Sequence, residues 1–131
     1  MVIPIDIENK IKSILLSNKG KSTTILDIQH VSGGCINNAS KIITNCDTLF
    51  LKWNKTAADK MFEVEAKGLE LIRKSNTIYV PHLIAYDNHF LMMEFIEKVF
   101  STHSSWEKFG RDLSELHKVS NINFGLDHNN F

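Results

Sequence analysis

A lysine stands in the middle of an apolar run. Leu49, Phe50, Leu51, Lys52 and Trp53 read as one strand, and alternation puts Leu49, Leu51 and Trp53 on one face with Phe50 and Lys52 on the other. A charge inside such a segment is costly unless an opposite charge meets it, so an element packed on that face must present a carboxylate. Glu65 is the candidate, three residues after Phe62 and four before Leu69, within an apolar helical stripe of Phe62, Leu69 and Ile72. The pair demands a helix laid across a sheet. The other reading is that both side chains point to solvent at the margins of their elements.

The remaining elements fall into place around this pair. Ile7, Ile11, Ile14 and Leu15 recur at helical spacing, and Lys19 with Gly20 closes that helix. From Thr23 the pattern turns to β-branched and aliphatic residues in three runs, 23–31, 39–46 and 48–54, whose short connections predict an antiparallel meander. Thr56 and Asp59 form a capping signature for the helix that carries Glu65, which runs to about Ser75. Past Pro81, residues 82–87 and 89–96 make a second hairpin split at Asn88. Ser104 with Glu107 predicts the cap of a last helix striped by Trp106, Phe109, Leu113 and Leu116 and ending near Lys118. The tail is Asn-rich loop. Helix, three strands, helix, two strands, helix describes an α+β fold with a five-stranded antiparallel sheet.

Composition bounds the partners. The chain has 131 residues, enough for one domain, with 43% apolar and 23% charged residues, as globular chains have. Fifteen basic and fifteen acidic residues cancel, which removes the case for a nucleic-acid surface or a polybasic membrane patch. No apolar run nears the roughly 18 residues that span a bilayer, and the N-terminus has no long apolar core with a cleavage site, so a cytoplasmic location is expected. Cys35 and Cys46 do not form a C-x-x-C motif, and the six histidines lack metal-ligand spacing, so no metal site is expected in this chain.

Two further stretches bear on chemistry. Residues 32–38, Ser-Gly-Gly-Cys-Ile-Asn-Asn, join two strands, and paired glycines let backbone N–H groups approach an anion, although they also serve as a simple hairpin turn. Residues 90–96 form an apolar strand rich in methionine and phenylalanine that runs into Glu94 and then leaves the sheet. Such a strand suits a flat heteroaromatic base and equally suits plain core packing.

The order glycine connection, lysine strand, helical glutamate, strand-to-linker crossing is that of a kinase N-terminal lobe. The chain resembles the N-terminal part of a fructosamine (ketosamine) kinase, in the aminoglycoside-phosphotransferase-like branch of the protein-kinase-like fold. The resemblance rests on GGCIN at 33–37, FLK at 50–52, MFEVEAKGLELI at 61–72, VPHLI at 80–84, MEFI at 93–96, the L-x-x-L-H of 113–117 and FGLDHNNF at 124–131. Phe50, where protein kinases usually carry alanine, agrees with this branch.

The resemblance implies an ATP-binding lobe over residues 1–96, with residues 97–131 as hinge linker and start of a second lobe. It implies that Lys52 contacts the ATP phosphates and is oriented by Glu65. Gly33, Gly34, Cys35, Ile36, Asn37 and Asn38 would cover those phosphates, and Met93, Glu94, Phe95 and Ile96 would bond adenine. The implied reaction transfers phosphate from ATP to a sugar hydroxyl on glycated amines or proteins. No histidine here is followed by Gly-Asp, so the catalytic loop is absent, the magnesium ligands would come from the second lobe, and these residues alone should be inactive. A non-catalytic nucleotide-binding or dimerising module is the alternative, pairing through its exposed lobe surface or Cys35. That thiol is either redox-sensitive or a small loop residue.

Overall fold

Among the residues that the computed structural model describes, 3–19, 22–32, 37–123 and 125–126, the elements follow in the expected order. They are α1 (Ile5–Lys19), β1 (Ile25–Val31), β2 (Asn38–Thr44), β3 (Thr48–Trp53), α2 (Met61–Ser75), β4 (Leu83–Asp87), β5 (Phe90–Glu94) and α3 (His103–Lys118). The strands pair antiparallel throughout, in the order β1-β2-β3-β5-β4. The meander over the first three is as expected. The second hairpin then docks by its later strand, which puts β5 against β3 and leaves β4 at the edge.

One helix packs on each face of the sheet, α1 on one side and α2 over the β3–β5–β4 half of the other. The α1 stripe of Ile7, Ile11 and Leu15, with Ile3 ahead of it, is buried against Ile42, Leu49, Leu51, Trp53, Phe90 and Met92. On the other face Phe62 and Ala66 of α2 are buried against Leu91 and Met93, flanked by Phe50, Leu69 and Leu83. β5 is therefore buried from both sides over Phe90, Leu91, Met92 and Met93, which is why its run is continuously apolar. Burying a side chain of the size of Phe62 contributes about 2–3 kcal/mol.

The helix starts differ from the sequence reading. Thr56 does not cap α2: Asn54 Oδ1 accepts from its N–H and hydroxyl in a turn, and the helix begins after Lys60, which sits at φ 62 with no side-chain cap. At the other end Asn76, at φ 54, donates its N–H to the Arg73 carbonyl. The α3 cap lies two residues earlier than expected. Thr102 and Ser105 form the reciprocal capping box, and Glu107 instead faces His103 at 3.6 Å. Among the described residues no helix is long and apolar enough to cross a membrane.

Candidate functional site

Register places Lys52 between Ala39 of β2 and Leu91 of β5, on the face that α2 covers. Its Nζ donates to both carboxylate oxygens of Glu65, each at 2.8 Å. The expected pairing is therefore present. Glu65 lies at the margin of the buried stripe and not inside it, because Ala66 fills the buried position beside Phe62. Each partner keeps about a third of its side chain exposed, 29% for Lys52 and 32% for Glu65, so the ammonium is held in one direction while remaining reachable from solvent.

The same face carries Val31, Ala39, Lys41 and Ile43 on β1 and β2, as their cross-strand partners show. Val31, Ala39 and Ile43 are only half-buried and belong to neither buried cluster, since α2 packs over β3, β4 and β5. Among the described residues, an apolar floor thus lies open beside the lysine. At its margin the Asn54 side-chain amide donates to Asn37 Oδ1 at 3.1 Å and ties the start of β2 to the end of β3. Asn38 pairs with Trp53, which puts it on the α1 face, opposite Lys52. Gly33, Gly34, Cys35 and Ile36 lie outside the described residues.

At the end of β5 the four hinge candidates divide. Met93 faces the Lys52 side, nearly buried between Phe50 and Leu83. Glu94 is paired with Leu49 and turns to the other face, where its carboxylate accepts from the Tyr79 hydroxyl at 2.6 Å and from the His82 N–H at 3.2 Å. The Tyr79 bond above all, then the His82 N–H, holds this carboxyl below the usual range, and the same bond pushes the Tyr79 phenol up. Phe95 donates its N–H to the Thr48 carbonyl at 3.3 Å, and Ile96 is exposed. Lys41 and Tyr79 were not singled out in the sequence. Lys41 was findable, since two residues past Ala39 on an alternating strand must share its face; nothing local points Tyr79 at Glu94.

A cavity of about 480 Å3 lies at the β3–β5–β4 end, lined by Asn18, Thr48, Leu49, His82 and Glu94 among others; neither Lys52 nor Glu65 lines it. The chemistry therefore concentrates on the open floor and its oriented cation, which suit an anion joined to a flat apolar group.

The sequence model described as Fructosamine kinase matches residues 7–131. The chloroplastic protein-ribulosamine 3-kinase of Arabidopsis thaliana is 35% identical over 124 residues, covering 91% of this chain and 37% of that protein. Among crystal structures, a candidate fructosamine-3-kinase from Haemophilus somnus 129PT superposes with a TM-score of 0.82 at 28% identity, over 92% of this chain and 43% of that one. The streptomycin–ATP ternary complex of APH(2")-IIa superposes with a TM-score of 0.60 at 16% identity, over 92% of this chain and 42% of that one, a likeness of fold. The chain spans less than half the length of these relatives.

Proposed function

The chain belongs to the fructosamine kinase family, and from that membership we propose that residues 1–96 are the ATP-binding lobe of a ketosamine kinase and residues 97–131 the linker and start of a second lobe. One observation carries this reading. The Lys52 ammonium is bonded to both oxygens of Glu65 beside an apolar floor that, among the described residues, no helix covers. A sheet used only as a scaffold has no physical need for a lysine and a carboxylate locked together on its packed face.

The residues fit ATP. Lys52 neutralises phosphate oxygens as a point charge, and Glu65 fixes the direction of the ammonium so that little reorganisation accompanies binding. Val31 and Ala39 offer apolar contact to the base, and the backbone of residues 93–96 passes its edge. This reading assigns the phosphates to the glycine-containing connection over residues 33–38 as well, a composition that suits anion contact through backbone N–H groups. ATP brings the γ-phosphoryl group, and a hydroxyl of a sugar carried on a glycated amine receives it. The magnesium ligands and the base that activates the hydroxyl are assigned to the second lobe, where the phosphoryl-transfer machinery of this fold places them.

The test is phosphorylation of a fructosyl-lysine or ribulosyl-lysine peptide followed by 31P NMR. This chain alone is expected to leave the peptide unmodified, and the same lobe joined to a relative's second lobe to phosphorylate it. A joined protein that binds ATP and phosphorylates no ketoamine overturns the substrate assignment.

A further inference from the structure

Lys41 takes no part in the roles assigned above, yet its place is unusual among the ion-paired lysines. Most of the others lie on helices, bonded three or four residues away or to a neighbouring element at the surface. Lys41 lies on the sheet face that carries Lys52, directly across from Phe50, and its side chain is less exposed than that of Lys52, 20% against 29%. It reaches past β3 to the segment that follows β5. There its ammonium stands 4.4 Å from the centroid of the Phe95 ring and bonds Glu97 at 2.5 Å. Beyond Glu97 the chain runs exposed through Val99 and Phe100 to α3.

Three physical consequences follow. The methylene stem of Lys41 extends the apolar floor of Val31 and Ala39 toward the hinge, as long cationic side chains do when they lie along apolar surface. The ammonium on the aromatic face and the Glu97 ion pair both pull the post-β5 segment toward β2. A cation fixed on Phe95 and Glu97 is turned to the base end of the floor, whereas the phosphate end belongs to Lys52.

Resting on the ATP-binding reading, we propose that Lys41 is a positioning residue for the base of the nucleotide: by holding Phe95 and Glu97 toward β2 it fixes the width of the slot between the open half of the sheet and the hinge. It acts through the hinge and not on the phosphates. Its loss should therefore weaken recognition of the base and leave recognition of the triphosphate intact.

The test is calorimetric binding of ATP and, separately, of inorganic tripolyphosphate to the whole chain, with the melting temperature recorded for each variant. Lys41→Met keeps the stem and removes both attractions, and is expected to weaken ATP roughly three- to tenfold while tripolyphosphate binding is unchanged. Lys41→Arg keeps both attractions and should restore ATP binding. Equal weakening of ATP and tripolyphosphate by Lys41→Met, or no weakening of ATP, overturns the proposal while the ATP-binding reading stands. A wild-type chain that binds neither ligand overturns that reading, and this proposal with it.

Discussion

Lys52 and Glu65 each keep about a third of the side chain exposed, so water screens their attraction and the pair stabilises the fold by at most about 1 kcal/mol. Glu65→Gln should lower stability by less than about 1 kcal/mol in a urea titration; a loss several times larger would mean that the pair holds α2 on the sheet. Asp87 gives the acid response. The hydrogen bond from Lys10 above all holds its carboxyl below the ordinary range. A group that binds protons more readily unfolded than folded contributes stability above its unfolded pKa, about 4, and loses it as pH falls through the lower folded value. Asp87→Asn should therefore cost a few tenths to about 1 kcal/mol near neutrality and progressively less below about pH 4. A penalty independent of pH would rule out the linkage. The lysine and its carboxylate were legible because each interrupts an apolar period. The face of Asn38 was not, since the connection over residues 32–38 gave no strand phase from which to count.

Packing at the element scale explains which segments could be read and which could not. α1 reads plainly because Ile7, Ile11 and Leu15 repeat at helical spacing and are all buried. Its position over the face of Leu49, Leu51 and Trp53 was not legible, because an apolar stripe announces burial without naming the surface. Ile11→Ala should cost about 2–4 kcal/mol in a denaturant titration, where a solvent-facing helix would lose only tenths. The strand order was half visible. The turn at 45–47 and the break at Asn88 specify two hairpins, but a hairpin signal does not say which strand docks inward; the unbroken apolar run of β5 against the mixed burial of β4 carries that information. The caps misled for a local reason. Asn54 draws Thr56 into a turn ahead of α2, and Thr102 competes successfully with Ser104 for the first turn of α3.

Over the whole molecule the sheet is sealed by α1 on one side and half covered by α2 on the other. α3 adds no buried residue: Trp106 and Phe109 meet edge to face at 6.5 Å, both well exposed. The folded body is thus the sheet with its two helices, and its open half coincides with the oriented lysine. Charge and composition, which describe an ordinary neutral domain, carry no sign of that coincidence. If the open floor and Lys52 form the nucleotide site, calorimetry on this chain should detect ATP binding that Lys52→Met weakens by at least about tenfold, the loss of a charge-assisted bond to phosphate, with the urea midpoint almost unmoved. Equal ATP affinity in the two proteins, or none in the wild type, would contradict a nucleotide site on this face.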